Sequence, residues 1–443
     1  MKKLLLVSLA AVLAQAAVAA STASDVTLRV TPDRDYIYRL GPREVIVQVE
    51  IEARKSDDTR RAPMNLCVVL DRSGSMEGAK IEKARQAAAM AVDKLSDDDI
   101  FSLVTYDSET DLLIPPERVG GTDHREDLKA RIHRIQPGGS TALHAGVVLG
   151  AKQVRRFFEK ERVNRVILLS DGLANVGPSS TSDLARLGRE LRGEGIAVST
   201  VGLGDDYNED LMTALAEASN ANYYYVKDAE KLPSIFAQEL GAARSLLARS
   251  ITIRIEAPDG VHLKEIIGRP EIECHDRTAE IKMPELFGSE KRRFLVRCVT
   301  DAKTAETLEA ATVELNYTTL SGGNAPAQRQ AAKVSFTDDQ KKSDSSVQAD
   351  VVREYSVVQN RLAKEMAVKL ADEGKSKDAV ALLRNQAAKN AAAPPPLQVP
   401  GVAEENRKLE EAARDIDSNG RLEKARRKSM QFENYADKYQ KSR

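Results

Sequence analysis

Tryptophan is absent from the sequence, and aromatic residues of all kinds make up only 4% of its 443 positions. The apolar interior must therefore be built from aliphatic side chains, and the hydrophobic content of 42% supplies enough of them to form sizeable cores. A chain of this length has room for about three domains of ordinary size.

The sequence also lacks an excess of charge of either sign. It contains 66 basic and 67 acidic residues, which gives a formal net charge of −1. Proteins that bind nucleic acid or anionic membranes as general partners usually carry a marked basic surplus. We therefore expect neither nucleic acid nor an anionic membrane surface to be a general partner.

Long apolar runs are missing except at the N-terminus. Lys2 and Lys3 precede an apolar run from Leu4 to Ala17, and Ala17 to Ala19 forms an A-x-A cleavage pattern. This arrangement is typical of a cleaved signal peptide over residues 1–19, and no cysteine follows it to accept a lipid. No later stretch is long and apolar enough to span a bilayer. We expect an exported bacterial protein, either periplasmic or secreted.

Cysteine is scarce, with three residues in the chain. Cys67 lies in a predicted buried strand and is expected to be a packed, reduced core residue. Cys274 and Cys298 flank a predicted hairpin, and an oxidising compartment would permit a disulfide between them. Counting residues around the turn does not place the two opposite each other, so the sequence leaves their pairing open.

The clearest chemical pattern is Asp71, Ser73 and Ser75, which follow the apolar run from Asn65 to Leu70. The run predicts a buried parallel strand, and an amphipathic helical pattern comes after the three residues. In open α/β sheets ligands bind in the crevice at the carboxyl ends of the strands. One carboxylate and two hydroxyls at this place favour a small hard cation such as Mg²⁺.

Two further segments supply similar groups. Thr141 follows Gly138 and Gly139 where a second helix is predicted to begin. Asp171 ends another apolar run, from Val166 to Ser170, which again predicts a buried strand. An N-terminal helix cap would explain Asp71 or Ser73 alone, but not oxygen donors from three separate segments.

Together, D-x-S-x-S, a threonine at a glycine-rich helix start and S-D-G at a strand end resemble the metal-ion-dependent adhesion site of the von Willebrand factor A (VWA) domain. The resemblance assigns the metal ligands to Asp71, Ser73, Ser75, Thr141 and Asp171. It implies a bound Mg²⁺, or Mn²⁺ or Ca²⁺ in its place, with one coordination position left for a carboxylate of a protein partner.

The patterns along the chain predict how the domains are arranged. Residues 60–246 alternate between strand and helix patterns, which predicts a doubly wound, mostly parallel sheet of the VWA or Rossmann type. Residues 20–59 and 247–340 have the two-residue period of half-buried strands, and we expect them to form one β-sandwich into which residues 60–246 are inserted. A helical hairpin is predicted at 341–391, and a proline-rich spacer with a charged helical tail at 392–443.

Two local predictions accompany this arrangement. A short antiparallel edge strand at 112–114 is expected to stop at Pro115 and Pro116. Asp107 and its neighbours Ser108 and Glu109 are interpreted as a solvated loop.

Enzymatic function is not expected. The glycines and lysine of residues 74–80 are not at phosphate-loop spacing, and no G-x-S-x-G nucleophile elbow is present. The main hypothesis is a cation-dependent binding protein that recognises an acidic side chain of a protein partner. The alternative is an envelope scaffold in which the C-terminal helices make the contacts and the metal is only structural.

Overall fold

The computed structural model of the chain describes residues 24–55, 62–301, 306–393 and 401–440. The predicted signal peptide at 1–19 and the prolines of the predicted spacer lie outside these ranges. None of the helices in the described ranges combines the length and the hydropathy needed to cross a bilayer.

The strands are β1 (Val26–Pro32), β2 (Tyr36–Tyr38), β3 (Glu44–Ala53), β4 (Met64–Asp71), β5 (Ile100–Tyr106), β6 (Thr110–Arg118), β7 (Val163–Ser170), β8 (Ala197–Leu203), β9 (Tyr223–Val226), β10 (Leu246–Glu256), β11 (Val261–Ile266), β12 (Cys274–His275), β13 (Thr278–Phe287), β14 (Lys291–Thr300), β15 (Thr307–Thr319) and β16 (Gln328–Thr337). The α-helices are α1 (Ala79–Lys94), α2 (Thr122–His133), α3 (Leu143–Arg156), α4 (Thr181–Gly193), α5 (Glu209–Ala218), α6 (Leu232–Arg244), α7 (Gln340–Ser345), α8 (Ala349–Asp372), α9 (Ser376–Ala392), α10 (Val402–Asn419) and α11 (Lys424–Tyr439).

The central α/β unit is a sheet in the order β6-β5-β4-β7-β8-β9, with every neighbouring pair parallel except β5 and β6. Strands β4, β5 and β7 are buried along their whole length, which explains their near-continuous apolar sequences. Separate apolar cores cover the two faces of the sheet. The predicted doubly wound sheet is confirmed. Because β5 and β7 flank β4, the order of the strands reverses there, and ligand crevices form at such switch points.

The edge strand β6 differs from its prediction, since it runs through Pro115 and Pro116 to Arg118. The two prolines fall within a register shift, between the paired residues Leu103–Ile114 and Phe101–Glu117. An edge strand tolerates proline because a missing N–H on its outer side breaks no ladder hydrogen bond.

Outside the α/β unit, two antiparallel sheets enclose a further core. One has the order β1-β3-β14-β11, and the other has the order β12-β13-β10-β15-β16-β2, in which only β2 and β16 are parallel. Val47 of β3 and Ile253 of β10 belong to the same buried cluster, although the whole α/β unit lies between them in sequence. This confirms the predicted sandwich, which is assembled from chain segments on both sides of the α/β unit.

The two chain crossings between the sandwich and the α/β unit lie side by side. The turn between β13 and β14 contacts both crossings through its backbone. Gly288 N–H donates to the Ser245 carbonyl at 2.6 Å, and Ser289 N–H donates to the Arg54 carbonyl at 3.0 Å. The α/β unit is therefore connected to the sandwich at one place, as an insertion requires.

The C-terminal helices pack on the rest of the molecule, a point that the sequence leaves open. Helices α8, α9 and α10 enclose a small core of their own. Helix α11 returns to the α/β unit, where Tyr435 packs edge-on against Tyr223 of β9 with ring centroids 5.9 Å apart. The charged tail is thus part of the folded body over its described residues.

Candidate metal centre

The Asp71 carboxylate is fixed at the carboxyl end of β4. Its side chain is fully buried. One oxygen, Oδ1, accepts the Ser73 backbone N–H at 2.8 Å. The other, Oδ2, accepts Ser170 Oγ–H at 2.7 Å and Tyr106 Oη–H at 3.3 Å. Burial raises the pKa of Asp71, and the hydrogen bonds from Ser73 and Ser170 oppose that shift.

A chain of hydrogen bonds joins the first motif to Asp171 at the end of β7. Ser73 Oγ and Ser75 Oγ lie 3.1 Å apart, and Ser75 Oγ–H donates to Asp171 Oδ1 at 2.6 Å. Asp171 is as fully buried as Asp71. Two carboxylates and two hydroxyls from two strand ends therefore meet at one point on the sheet edge.

Thr141 completes the group from the start of α3. A side-chain carbon on Gly172 would lie 3.2 Å from Thr141 Oγ1, 3.4 Å from Ser75 Oγ and 3.9 Å from Ser73 Oγ. The three hydroxyl oxygens thus lie within 4 Å of one point beside the Gly172 backbone. Hydrogen bonds join Asp71 to Ser73 and Asp171 to Ser75, so the five residues that the sequence singled out meet at one place on the sheet edge, called the hollow below.

Backbone hydrogen bonds hold the loops of this hollow together. Gly74 N–H donates to the Gly139 carbonyl at 3.1 Å, and Gly138 N–H donates to the Arg72 carbonyl at 2.7 Å. Gly139 has φ 77°, and a Cβ there would lie 3.0 Å from the Asp107 side chain. Glycine is therefore required at this position both for its conformation and for the close approach of the two loops.

Asp107 differs from the predicted solvated loop, whereas its neighbours Ser108 and Glu109 are exposed as expected. Its carboxylate pairs with Arg72 Nε at 3.0 Å, and its carbonyl accepts the Ala142 N–H at 2.7 Å. These contacts join the loop after β5 to the loop after β4 and to the start of α3. Asp107 therefore supports the hollow, a role that a run of polar residues does not reveal in sequence.

Lys80 is the charged neighbour that sequence reasoning missed. Its Nζ lies 2.5 Å from Asp171 Oδ2. The signal that could have found it is its place in the first turn of α1, at the same sheet edge as Asp71.

The donor set fits a small hard divalent cation. It offers two carboxylates and three neutral hydroxyls, and oxygen ligands of this kind suit Mg²⁺. Within the described ranges no group of three or more His, Cys, Asp or Glu side chains is placed to hold a metal. A metal at this hollow would therefore depend on hydroxyl ligands, which leave more positive charge on the ion than a cluster of carboxylates would.

Known proteins resemble the chain in sequence and in fold. Residues 65–238 match the family model of the von Willebrand factor type A domain. An uncharacterised protein from Synechocystis, sll0103, is 26% identical over 264 residues, which cover 58% of this chain and 61% of that protein. Inter-alpha-trypsin inhibitor heavy chain H4 from Bos taurus is 26% identical over 165 residues, 36% of this chain and 18% of the heavy chain. The chain thus matches less than two thirds of the length of either relative.

A solved structure shares the arrangement of nearly the whole chain. The von Willebrand factor type A protein from Catenulispora acidiphila superposes with a TM-score of 0.73 at 17% identity, covering 95% of this chain and 97% of that one. At this identity the likeness concerns the fold alone. It includes the sheets and helices outside residues 65–238.

Proposed function

We propose, from the match of residues 65–238 to the family model of the von Willebrand factor type A domain, that the chain is a divalent-cation-dependent binding module. The ligands of the cation are Asp71, Ser73, Ser75, Thr141 and Asp171. The ion, Mg²⁺ or in its place Mn²⁺ or Ca²⁺, accepts a carboxylate from a protein partner as a Lewis acid.

The observation that carries this proposal is the meeting of five oxygen-bearing side chains from three chain segments at one sheet edge. Only two of the five carry charge, and Asp171 shares its charge with Lys80. Two carboxylates alone would balance the charge of a divalent cation, but Lys80 offsets one of them, so the site with its ion keeps a positive charge. An acidic side chain from outside is the group that such a site attracts.

We propose binding rather than catalysis. In the described part of the chain no hydrogen bond joins the five side chains to a histidine or a cysteine. Their side-chain partners are hydroxyls of serine and tyrosine and the Lys80 ammonium group. Export is also part of the proposal and rests on the segment at 1–19. Sequencing the N-terminus of the mature protein checks it.

Thr141→Ala is the sharpest test of the metal site. It removes one hydroxyl and leaves the backbone contacts of the loop, among them the Thr141 N–H bond to Asn175 Oδ1 at 2.8 Å. We expect the wild-type chain to bind one Mg²⁺ in a calorimetric titration with magnesium chloride, and the variant to bind it about tenfold or more weakly.

The matched control is Thr181→Ala, which removes an exposed threonine at the start of α4. It should bind Mg²⁺ like the wild type. Equal affinity of Thr141→Ala and wild type would contradict the proposed ligand set.

The partner is then sought by capture from the envelope fraction with Mg²⁺ and with EDTA. Binding that survives EDTA would contradict the proposed role of the cation.

A further inference from the structure

Lys80 occupies a position that α1 itself does not favour. The helix begins at Ala79, directly after Gly78 with φ 82°, so Lys80 lies in its first turn. The positive end of the helix dipole is there, and a cation in the first turn is unfavourable. The placement of Lys80 therefore has to be explained by a contact outside the helix.

That contact is Asp171. Lys80 Nζ lies 2.5 Å from Asp171 Oδ2, while Oδ1 of the same carboxylate accepts the Ser75 hydroxyl at 2.6 Å. Both carboxylate oxygens thus have a partner within the chain. The Asp171 side chain is 0% exposed and the Lys80 side chain is 33% exposed, so the pair is partly shielded from water.

The Lys80 ammonium group lies between the loops at this edge of the sheet. A side-chain carbon on Gly204, directly after β8, would lie 3.8 Å from Lys80 Nζ. Gly204 has φ 74°, a left-handed backbone conformation that favours glycine, so the position beside Lys80 has no side chain. The lysine thus reaches Asp171 beside the glycine backbone of the loop after β8.

We infer that Lys80 is the chain's own counter-cation at the metal centre and that it weakens cation binding while strengthening the bound ion's attraction for an outside carboxylate. The inference rests on the proposed function, since it assumes that the hollow holds a metal. Without a metal, two buried carboxylates share the hollow, and the ammonium group offsets one of them. With a metal bound, the ammonium group repels the ion, and its pairing with Asp171 reduces the negative charge that this carboxylate offers the ion. The ion is then held loosely and keeps more positive charge for a partner.

Lys80→Met tests this inference, because methionine keeps the length of the side chain and removes the charge. In a calorimetric titration of the full chain with magnesium chloride, we expect Lys80→Met to bind Mg²⁺ about tenfold more tightly than wild type. Lys80→Arg keeps the charge and should remain close to wild type. Lys83→Met is the matched control, because Lys83 lies one turn further along α1 and pairs with the exposed Glu230 at 2.7 Å.

Thermal unfolding separates this role from a merely structural one. Without Mg²⁺, Lys80→Met should melt below wild type, and saturating Mg²⁺ should remove or reverse that difference. A loss of stability that is equal with and without Mg²⁺, or Mg²⁺ affinity no tighter than that of wild type, would overturn the inference. If neither the wild type nor the variant binds Mg²⁺, the proposed function itself fails.

Discussion

At the scale of the residue, the three cysteines show how burial controls chemistry. Cys67 of β4 and Cys298 of β14 are buried, and burial raises the pKa of each thiol to about 12. Cys274 of β12 is only half-buried. All three are free thiols in the structure, and Cys274 and Cys298 belong to opposite sheets of the sandwich. That separation is why residue counting around a hairpin could not align them.

Native alkylation tests this difference in reactivity. The thiolate is the reactive form, so a raised pKa and burial together suppress reaction. We expect iodoacetamide at about pH 8 to label Cys274 alone in the folded protein and all three thiols in urea, as counted by intact mass. Cys274→Ser should abolish the native label. Labelling of Cys67 before the protein unfolds would contradict the packing of β4.

At the scale of the element, helix α6 is fixed to the sheet by a buried charge. Glu239 is fully buried and accepts hydrogen bonds from Asn222 Nδ2 at 2.6 Å and from Tyr224 Oη at 2.8 Å. It also pairs with Arg165 of β7 and accepts the Ser199 hydroxyl. Burial alone would raise the pKa of Glu239, but the Arg165 charge and these hydrogen bonds hold it below its usual value.

Removing this carboxylate should loosen α6. Glu239→Ala leaves the buried Arg165 with the more distant Glu285 carboxylate, 3.8 Å away, and we expect the free energy of unfolding in urea to fall by about 3–5 kcal/mol. The loss should be largest at neutral pH. A carboxylate with a lowered pKa contributes its full stabilisation above its unfolded pKa of about 4.3, and that contribution is lost as the pH falls from this value through the lower folded pKa.

The control for this prediction is Glu230→Ala. Its side chain is 66% exposed, and the change should cost no more than about 0.5 kcal/mol. Adding Arg165→Met to Glu239→Ala should restore part of the lost stability, because the buried cation that has lost its nearer carboxylate is removed as well. If the double variant is less stable than Glu239→Ala, the pair is not the source of the effect.

Periodicity in the sequence was enough to predict the sheet and the insertion, while the motifs and their resemblance to the VWA metal site supplied the five residues around the hollow. The apolar runs before Asp71 and Asp171 indicate strands that are buried on both faces. Because such strands are parallel, their carboxyl ends lie at the same edge of the sheet. Periodicity says nothing about which distant side chain meets a charged one. The pairing of Lys80 with Asp171 and the network around Glu239 therefore emerged only from the structure.

At the scale of the whole molecule, helix α11 joins parts that the sequence treats as separate. Lys428 Nζ donates to the Tyr207 carbonyl at 2.8 Å, in the loop before α5. At the other end, the Gln440 side chain contacts the backbone of Arg293 on β14 of the sandwich. It accepts the Arg293 N–H at 2.7 Å and donates to the Arg293 carbonyl at 3.2 Å. Helix α11, with Gln440 directly after it, thus bridges the α/β unit and the sandwich.

This bridge changes how the scaffold alternative has to be tested. Deleting the residues beyond 391 would uncover Tyr223 of β9, so a loss of partner binding after deletion would not separate direct contact from damage to the fold. Substitutions of exposed residues on α10, such as Arg407→Ala, leave the α11 contacts in place. A partner that is retained by Thr141→Ala and lost by Arg407→Ala would favour the scaffold.

Tyr435 carries the docking of α11, and its truncation should release the tail from the body. The side chain is 3% exposed, and its ring centroid lies 4.9 Å from the ring centroid of Tyr439. Its hydroxyl donates to the Ala221 carbonyl. We expect Tyr435→Ala to lower the free energy of unfolding by about 3–5 kcal/mol, since a large buried ring leaves a cavity. Hydrogen exchange should then accelerate in α11 and in β9 while β4 stays protected.

Tyr435→Phe loses only the hydroxyl and should cost about 1 kcal/mol. Unchanged exchange in α11 of Tyr435→Ala would mean that the other contacts of the helix are sufficient to hold it.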